Sequence, residues 1–286
     1  MKKLLYITGL IIVISLNAFS TDNQPLYPYS ISSVKITGGP FLRAQQTALN
    51  YILALDPDRL LAPFLKDAGI ESIADNYPNW ESMGLDGHIG GHYLSAMALM
   101  YASTGNEELL RRIGYMTSWL KKCQDKNGNG YVGGIPGGQA MWAEIAAGKI
   151  DAGSFSLNQK WVPLYNIHKL FNGLVDVTRN THDKTAAEVL LKLSEWMYQL
   201  LSGLSDEQIQ DMLRSEHGGL NEVFVDVAEI SGDAKYLAMA QRLSHRAILD
   251  PLLAHENRLT GLHANTQIPK VVGYKKYADA AKNTEW

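Results

Sequence analysis

The chain has 286 residues, of which 46% are hydrophobic, and a formal net charge of −3. A charge this close to balance disfavours nucleic acid or an anionic membrane as partner. Its one cysteine, Cys123, excludes an internal disulfide and any cysteine-rich zinc site made from this chain alone.

At the N-terminus Lys2 and Lys3 precede an almost wholly apolar run, residues 4–16, and Ala18-Phe19-Ser20 forms a small-x-small cleavage site. This pattern predicts a signal peptide over residues 1–20 and an exported protein, periplasmic or extracellular, beginning at Thr21; the run is too short for a membrane span. No later segment is long and apolar enough to cross a bilayer, so no membrane association is expected after cleavage. Residues 21–40, rich in Pro, Tyr and Ser, read as an N-terminal arm with a short β-like run at 33–37.

Helical apolar spacing follows over residues 41–55 and 58–66, with Pro57 in the permitted first turn of the second. From Gly91 a unit recurs: an apolar helix, a turn of Ser or Thr with Asn or Asp, then an amphipathic helix. Residues 92–102 run through Thr104-Gly105-Asn106 into 107–122. Residues 167–178 run through Thr181-His182-Asp183 into 184–201, and 220–230 through Ser231-Gly232-Asp233 into 234–249. Glycine permits the left-handed helix end, and Asn or Asp caps the next helix. The first helix of each pair carries few charges and the second carries Glu, Lys and Arg on one side, which predicts an inner helix followed by an outer one. Cys123 falls on such an outer helix and reads as a buried residue.

Recurring helical hairpins form an open solenoid or a closed toroid. The irregular spacing and the Gly-rich inserts at 128–138 and 146–156 favour a toroid with loops on one rim. At most four hairpins are visible, and residues 274–286 break off within a helix pair. The expected fold is therefore all-α: an incomplete (α/α)6 toroid over residues 41–286, truncated at the C-terminus.

Polar residues gather where inner helices begin. His88 and His92 stand four apart, but no Glu follows His88 as zinc sites of the H-E-x-x-H type require. His168 and Glu222 open the next two inner helices. A glutamate on an apolar helix demands a function or a partner such as a His or Lys. Asp226 lies one turn on, on the same wall, so the two do not form the opposed carboxylate pair usual in glycosidases. Residues 125–130 match half of a calcium loop, but Pro136 stands where the bidentate acid belongs, which favours a plain Gly/Asn turn. In residues 261–270, His263, Asn265 and Gln267 alternate ahead of Pro269. They supply donors and acceptors without fixed charge, suited to a polyol such as a sugar, and a helix is expected to begin near Pro269.

Four stretches carry a resemblance: W-E-S-M-G-L-D-G-H-I-G-G-H-Y-L-S-A, Y-N-I-H-K-L-F-N-G-L, H-G-G-L-N-E-V-F-V-D-V-A-E-I-S-G-D and H-A-N-T-Q-I-P-K-V-V-G. Within residues 80–96, 161–173, 217–233 and 262–273, the sequence resembles glycoside hydrolase family 127 and its relative family 146, β-L-arabinofuranosidases with an (α/α)6 barrel. The resemblance implies that His168 and His263 contact the arabinofuranose, that Glu222 belongs to the same wall, and that His92, Asn265 and Gln267 stand near it. It also implies zinc held by a Glu-x-Cys pair and a Cys-Cys pair, one thiolate being the nucleophile, with a glutamate as acid/base. None of those motifs occurs in this chain, and Cys123 matches none of them.

The resulting expectation is an exported part of a retaining glycoside hydrolase for L-arabinofuranoside-containing glycans. It would be inactive alone, with no catalytic residue, metal ligand or cofactor in this chain and zinc expected in the full-length family. A non-catalytic carbohydrate-binding helical repeat is one alternative. Another (α/α)6 glycan-degrading enzyme is the other, and an unsaturated-uronide hydrolase would need a basic pocket.

Overall fold

The computed structural model describes residues 28–286, so the predicted signal peptide and the first seven residues of the predicted arm, 21–27, lie outside the described residues. The chain divides into two compact units, Met1–Val34 and Lys35–Trp286. In the first, the only described element is a 3-10 turn, Ile31–Ser33, whose Ser30 hydroxyl accepts from Ser32 N–H. The β-like run expected at 33–37 is not a strand: residues 34–37 pair with no neighbour. An alternating pattern without an adjacent edge has nothing to bond to.

The second unit is helical. Its elements are α1 (Gly39–Ala54), α2 (Pro57–Asp67), α3 (His88–Thr104), α4 (Glu107–Asn127) and α5 (Gly138–Ala146). A three-stranded antiparallel patch follows, β1 (Ala152–Gly153), β2 (Ser156–Leu157) and β3 (Lys160–Trp161). Then come α6 (Pro163–Thr181), α7 (Lys184–Ser202), α8 (Asp206–Met212), α9 (Leu220–Ser231), α10 (Ala234–Arg242), α11 (Arg246–Leu253) and α12 (Ala264–Ala281). The hairpins and their turns are as the sequence predicts. Gly105 and Gly232 end α3 and α9 in the left-handed region, at φ 72° and 70°. The side chains of Asn106, Asp183 and Asp233 accept from the first backbone N–H groups of α4, α7 and α10.

Helices α1, α3, α6, α9 and α12 neighbour one another in that order and form the inner row; α2, α4 and α7 form an outer row, with α10 against α9 and α12. A core of Leu, Ile, Val, Met and Phe fills the space between rows and includes Cys123, fully buried on α4. Two glycine contacts set the spacing of the inner row. A Cβ on Gly91 would lie 2.3 Å from the Lys169 carbonyl carbon, and one on Gly173 2.4 Å from the Gly91 oxygen, so α3 and α6 meet backbone to backbone. A Cβ on Gly273 of α12 would meet the Asn221 amide of α9 at 2.2 Å.

Two helix boundaries differ from expectation. The helix predicted over 234–249 breaks into α10 and α11, because Gln210 intervenes. Its amide donates to the Arg242 and Ser244 carbonyls at 3.1 and 3.2 Å and accepts from Arg246 N–H at 2.8 Å, replacing a helical turn. The helix expected to start near Pro269 starts at Ala264 and contains Pro269. Proline there forgoes the bond to the carbonyl four residues back. The buried face formed by Thr266, Lys270, Gly273, Tyr274 and Tyr277 outweighs that loss.

Candidate sugar-holding site

Gly218 and Gly219 fold over the His168 ring at the start of α9. Gly218 is left-handed (φ +58°), and a Cβ on it would lie 2.5 Å from His168 Nδ1. A Cβ on Gly219 would lie 3.2 Å from His168 Nε2 and 3.3 Å from Glu222 Oε2, so those two side chains flank the same glycine. The glycines bury His168, and its Nδ1 has no hydrogen-bond partner in the protein. Desolvation, then the charges of Lys169 and His92, hold its pKa well below the ordinary value. At neutral pH the ring is uncharged, so one nitrogen donates and one accepts.

Glu222 has the basic partner that its place on an apolar helix demands. Lys276 of α12 donates to Asp226 at 2.6 Å and to Glu222 at 3.4 Å. Arg179 of α6 holds Asp226 and Glu229, each at 2.5 Å. Asn172 of α6 continues toward α3, donating to Ser95 at 3.3 Å. A polar ladder thus crosses four inner helices. Its sequence signal was the row of acids 222, 226 and 229 on α9 and the row Asn172, Asp176 and Arg179 on α6, both at helical spacing, with Arg179 joining the two.

His92 stands at the start of α3 with its ring edge-on to His88 at 6.2 Å. Desolvation, then the Lys169 charge, lowers its pKa to about 4. His88 is buried and turned away: its Nδ1 lies 2.6 Å from Glu81 Oε1. The same carboxylate accepts from the backbone N–H groups of Gly87 and Ile89, at 3.0 and 2.9 Å, and so caps α3. Trp80 packs edge-on to Trp161 at 6.0 Å beside this cluster.

The remaining expected residues lie around a second hollow. His263 is the N-cap of α12 and meets the Phe155 ring edge-on at 6.4 Å. His263 and Gln267 line a cavity of about 520 Å³ together with Glu216, His245 and Lys270. Asn265 is exposed and does not line it. The six residues therefore do not converge on one point. His168 and Glu222 meet at Gly219, with His92 acting electrostatically on His168, whereas His263 and Gln267 face the neighbouring cavity. Glu216 links the two regions, because the charges of His263 and of Lys169 both act on it. Sequence reasoning missed Glu216, Lys270 and Lys276; the signal for the two lysines was their place on α12, the helix that also carries Asn265 and Gln267.

Residues 125–130 form the end of α4 and a turn. Gly128 and Gly130 are left-handed, Asn129 accepts from Tyr131 N–H at 3.0 Å, and Asp125 pairs with Lys121 and Lys192. The donors present do not fit the zinc that the resemblance implies. Among the described residues no three His, Cys, Asp or Glu side chains cluster to hold a metal. Burial pushes the Cys123 thiol up to about 12, away from the thiolate a zinc ligand requires.

The fold is also that of a solved protein. The chain is similar, with 15% identity and a TM-score of 0.53, to a crystal structure of a GH127 beta-L-arabinofuranosidase from Geobacillus stearothermophilus T6. The similarity covers 89% of this chain and 41% of that one. No curated protein matches the sequence. Residues 33–286 match the beta-L-arabinofuranosidase GH127 catalytic domain, and the chain belongs to that family.

Proposed function

We propose that this chain supplies the wall that holds an L-arabinofuranosyl residue of a glycan, as an exported member of its family, and that it does not cleave the glycosidic bond alone. Membership of the family over residues 33–286 carries the reading. The chemistry at Gly219 supports it. A neutral imidazole whose Nε2 lies beside Gly219 and a glutamate half-shared with Lys276 offer hydrogen-bonding groups to adjacent sugar hydroxyls. His92 stands near the His168 ring, and His263 lines the neighbouring cavity. The hydrolysis is retaining in this reading, and the nucleophile and acid/base come from groups this chain does not supply. The buried, protonated Cys123 is not one of them.

The test is a titration of the chain with methyl β-L-arabinofuranoside, followed by NMR or calorimetry, alongside an assay for released L-arabinose. Saturable binding without release is expected, weakened about tenfold by His168→Ala and by Glu222→Gln. Binding unaltered by both substitutions would reject the site, and release of arabinose would reject the claim of inactivity. An export assay on the sequence with and without residues 1–20 checks the proposed secretion.

A further inference from the structure

The cavity beside His263 contains a charge that the protein does not neutralise. Lys270 is 3% exposed, and its ammonium has one hydrogen-bond partner, His245 Nδ1 at 3.1 Å. An ammonium has three N–H donors, so two are left for another acceptor. For Nδ1 to accept, His245 carries its proton on Nε2. Burial lowers Lys270 to about 8 and His245 to about 4, so at neutral pH the amine keeps its charge and the imidazole has none. His217 packs edge-on to His245 at 5.6 Å. Its Nδ1 donates to the Ser215 carbonyl at 2.9 Å, and its Nε2 is buried without a partner. The amine is thus surrounded by neutral rings.

The other charged groups of the lining are Arg214, Arg258 and Glu216. Arg214 is tied to Asp211 at 2.9 Å and Arg258 to Glu256 at 2.6 Å, and neither acid lines the cavity. Glu216 acts on Lys270 without forming a salt bridge to it, and burial raises the pKa of Glu216 itself. The lining therefore sets three cations against one carboxylate. A buried cation with one neutral partner is unfavourable, and a neutral hydroxyl leaves its charge uncompensated, whereas an anion does not.

We propose that this cavity is a subsite for the carboxylate of an acidic sugar unit next to the neutral furanose, with Lys270 as its buried counter-charge and Arg214 and Arg258 at the rim. The volume of about 520 Å³ accommodates a sugar ring. Gln267, whose Oε1 is buried without a partner, offers an acceptor for a ring hydroxyl. The neighbouring furanose rests on the function proposed above; the carboxylate subsite rests on its own residues. Its lining is basic, as the set of His168, Glu222 and His263 alone is not.

Binding of methyl galacturonoside and of the uncharged methyl galactoside to the full chain tests this, with methyl arabinofuranoside as a separate arm. The uronoside is expected to bind about tenfold more tightly than the galactoside. Lys270→Met should abolish that preference, and Glu216→Gln should increase it by removing a like charge. Arg258→Gln, on the exposed rim, should reduce it about twofold and serves if Lys270→Met fails to fold. Equal binding of the two galactose derivatives by the unaltered chain, or a preference unchanged in Lys270→Met and Arg258→Gln, overturns the proposal. A uronoside preference without arabinofuranoside binding rejects the neutral-sugar reading and leaves the subsite standing; the opposite pair of results does the reverse.

Discussion

Lys270 shows how one residue can oppose the stability of the fold that buries it. Its amine titrates near 10.5 when exposed and about 8 here, because burial disfavours the charged form. Between those values the unfolded chain binds the proton more strongly. Stability is therefore lost as pH falls from about 10.5 to about 8, and the loss is complete at neutral pH. Lys270→Met is expected to raise stability at pH 7 by about 1–3 kcal/mol, or roughly 5 °C in melting temperature. The gain should shrink as pH rises past 8. Thermal melts at pH 7 and pH 10 check this, and a lower melting point for the variant at pH 7 contradicts it. The same reasoning explains why the site was only partly readable in the sequence. His168 and Glu222 are marked by being polar at the start of apolar helices. Lys270 looks like any surface lysine until α12 is extended back to Ala264 and the residue turns inward.

At the scale of elements, the inner row depends on residues with no side chain. Gly91→Ala would place a methyl group 2.3 Å from the α6 backbone, which cannot move aside as a side chain can. A destabilisation of about 3 kcal/mol or more is expected. Gly114, inside α4, has open space where a Cβ would stand, with nothing within 4 Å, so Gly114→Ala should stabilise by about 0.5–1 kcal/mol. Denaturant unfolding of the two variants separates a close helix contact from ordinary helix propensity. The hairpins were legible because caps, glycine ends and 3.6-residue periodicity agree locally, as at Thr104-Gly105-Asn106. What was not legible depends on distant partners. The break at Leu243–His245 comes from Gln210, 34 residues before Ser244. Pro269 stays in a helix because of the face that α12 buries. The short strands and α5 arise inside or between stretches that read as Gly-rich inserts.

Over the whole molecule, the buried histidines set the response to acid. Burial lowers His245 to about 4 and holds His168 and His217 well below their ordinary value, none of the three being more than 7% exposed. Each is neutral in the fold and would take a proton on unfolding below about pH 6.5. Stability contributed by keeping them neutral is present above pH 6.5 and is lost as pH falls toward 4. Asp67 acts oppositely: burial raises it to about 6, so its contribution is lost as pH rises from about 4 to 6. Burial raises Asp86, Asp176 and Glu216 in the same sense as Asp67; against them stand the three buried histidines and the carboxylates that basic partners hold low, among them Glu108, Glu188 and Asp125. The melting temperature is expected to fall steadily from pH 7 to pH 4.5, and a flat profile over that interval would show that the rings are not held neutral.

The ladder across the inner row has a consequence for ligand response. Lys276 divides its donors between Glu222 and Asp226, while Asp226 is also gripped by Arg179. A hydroxyl that draws the Glu222 carboxylate toward itself releases its share of Lys276 to Asp226. A guest near Gly219 would thereby bear on α6, α9 and α12 together, since Asp226 is shared by Arg179 and Lys276.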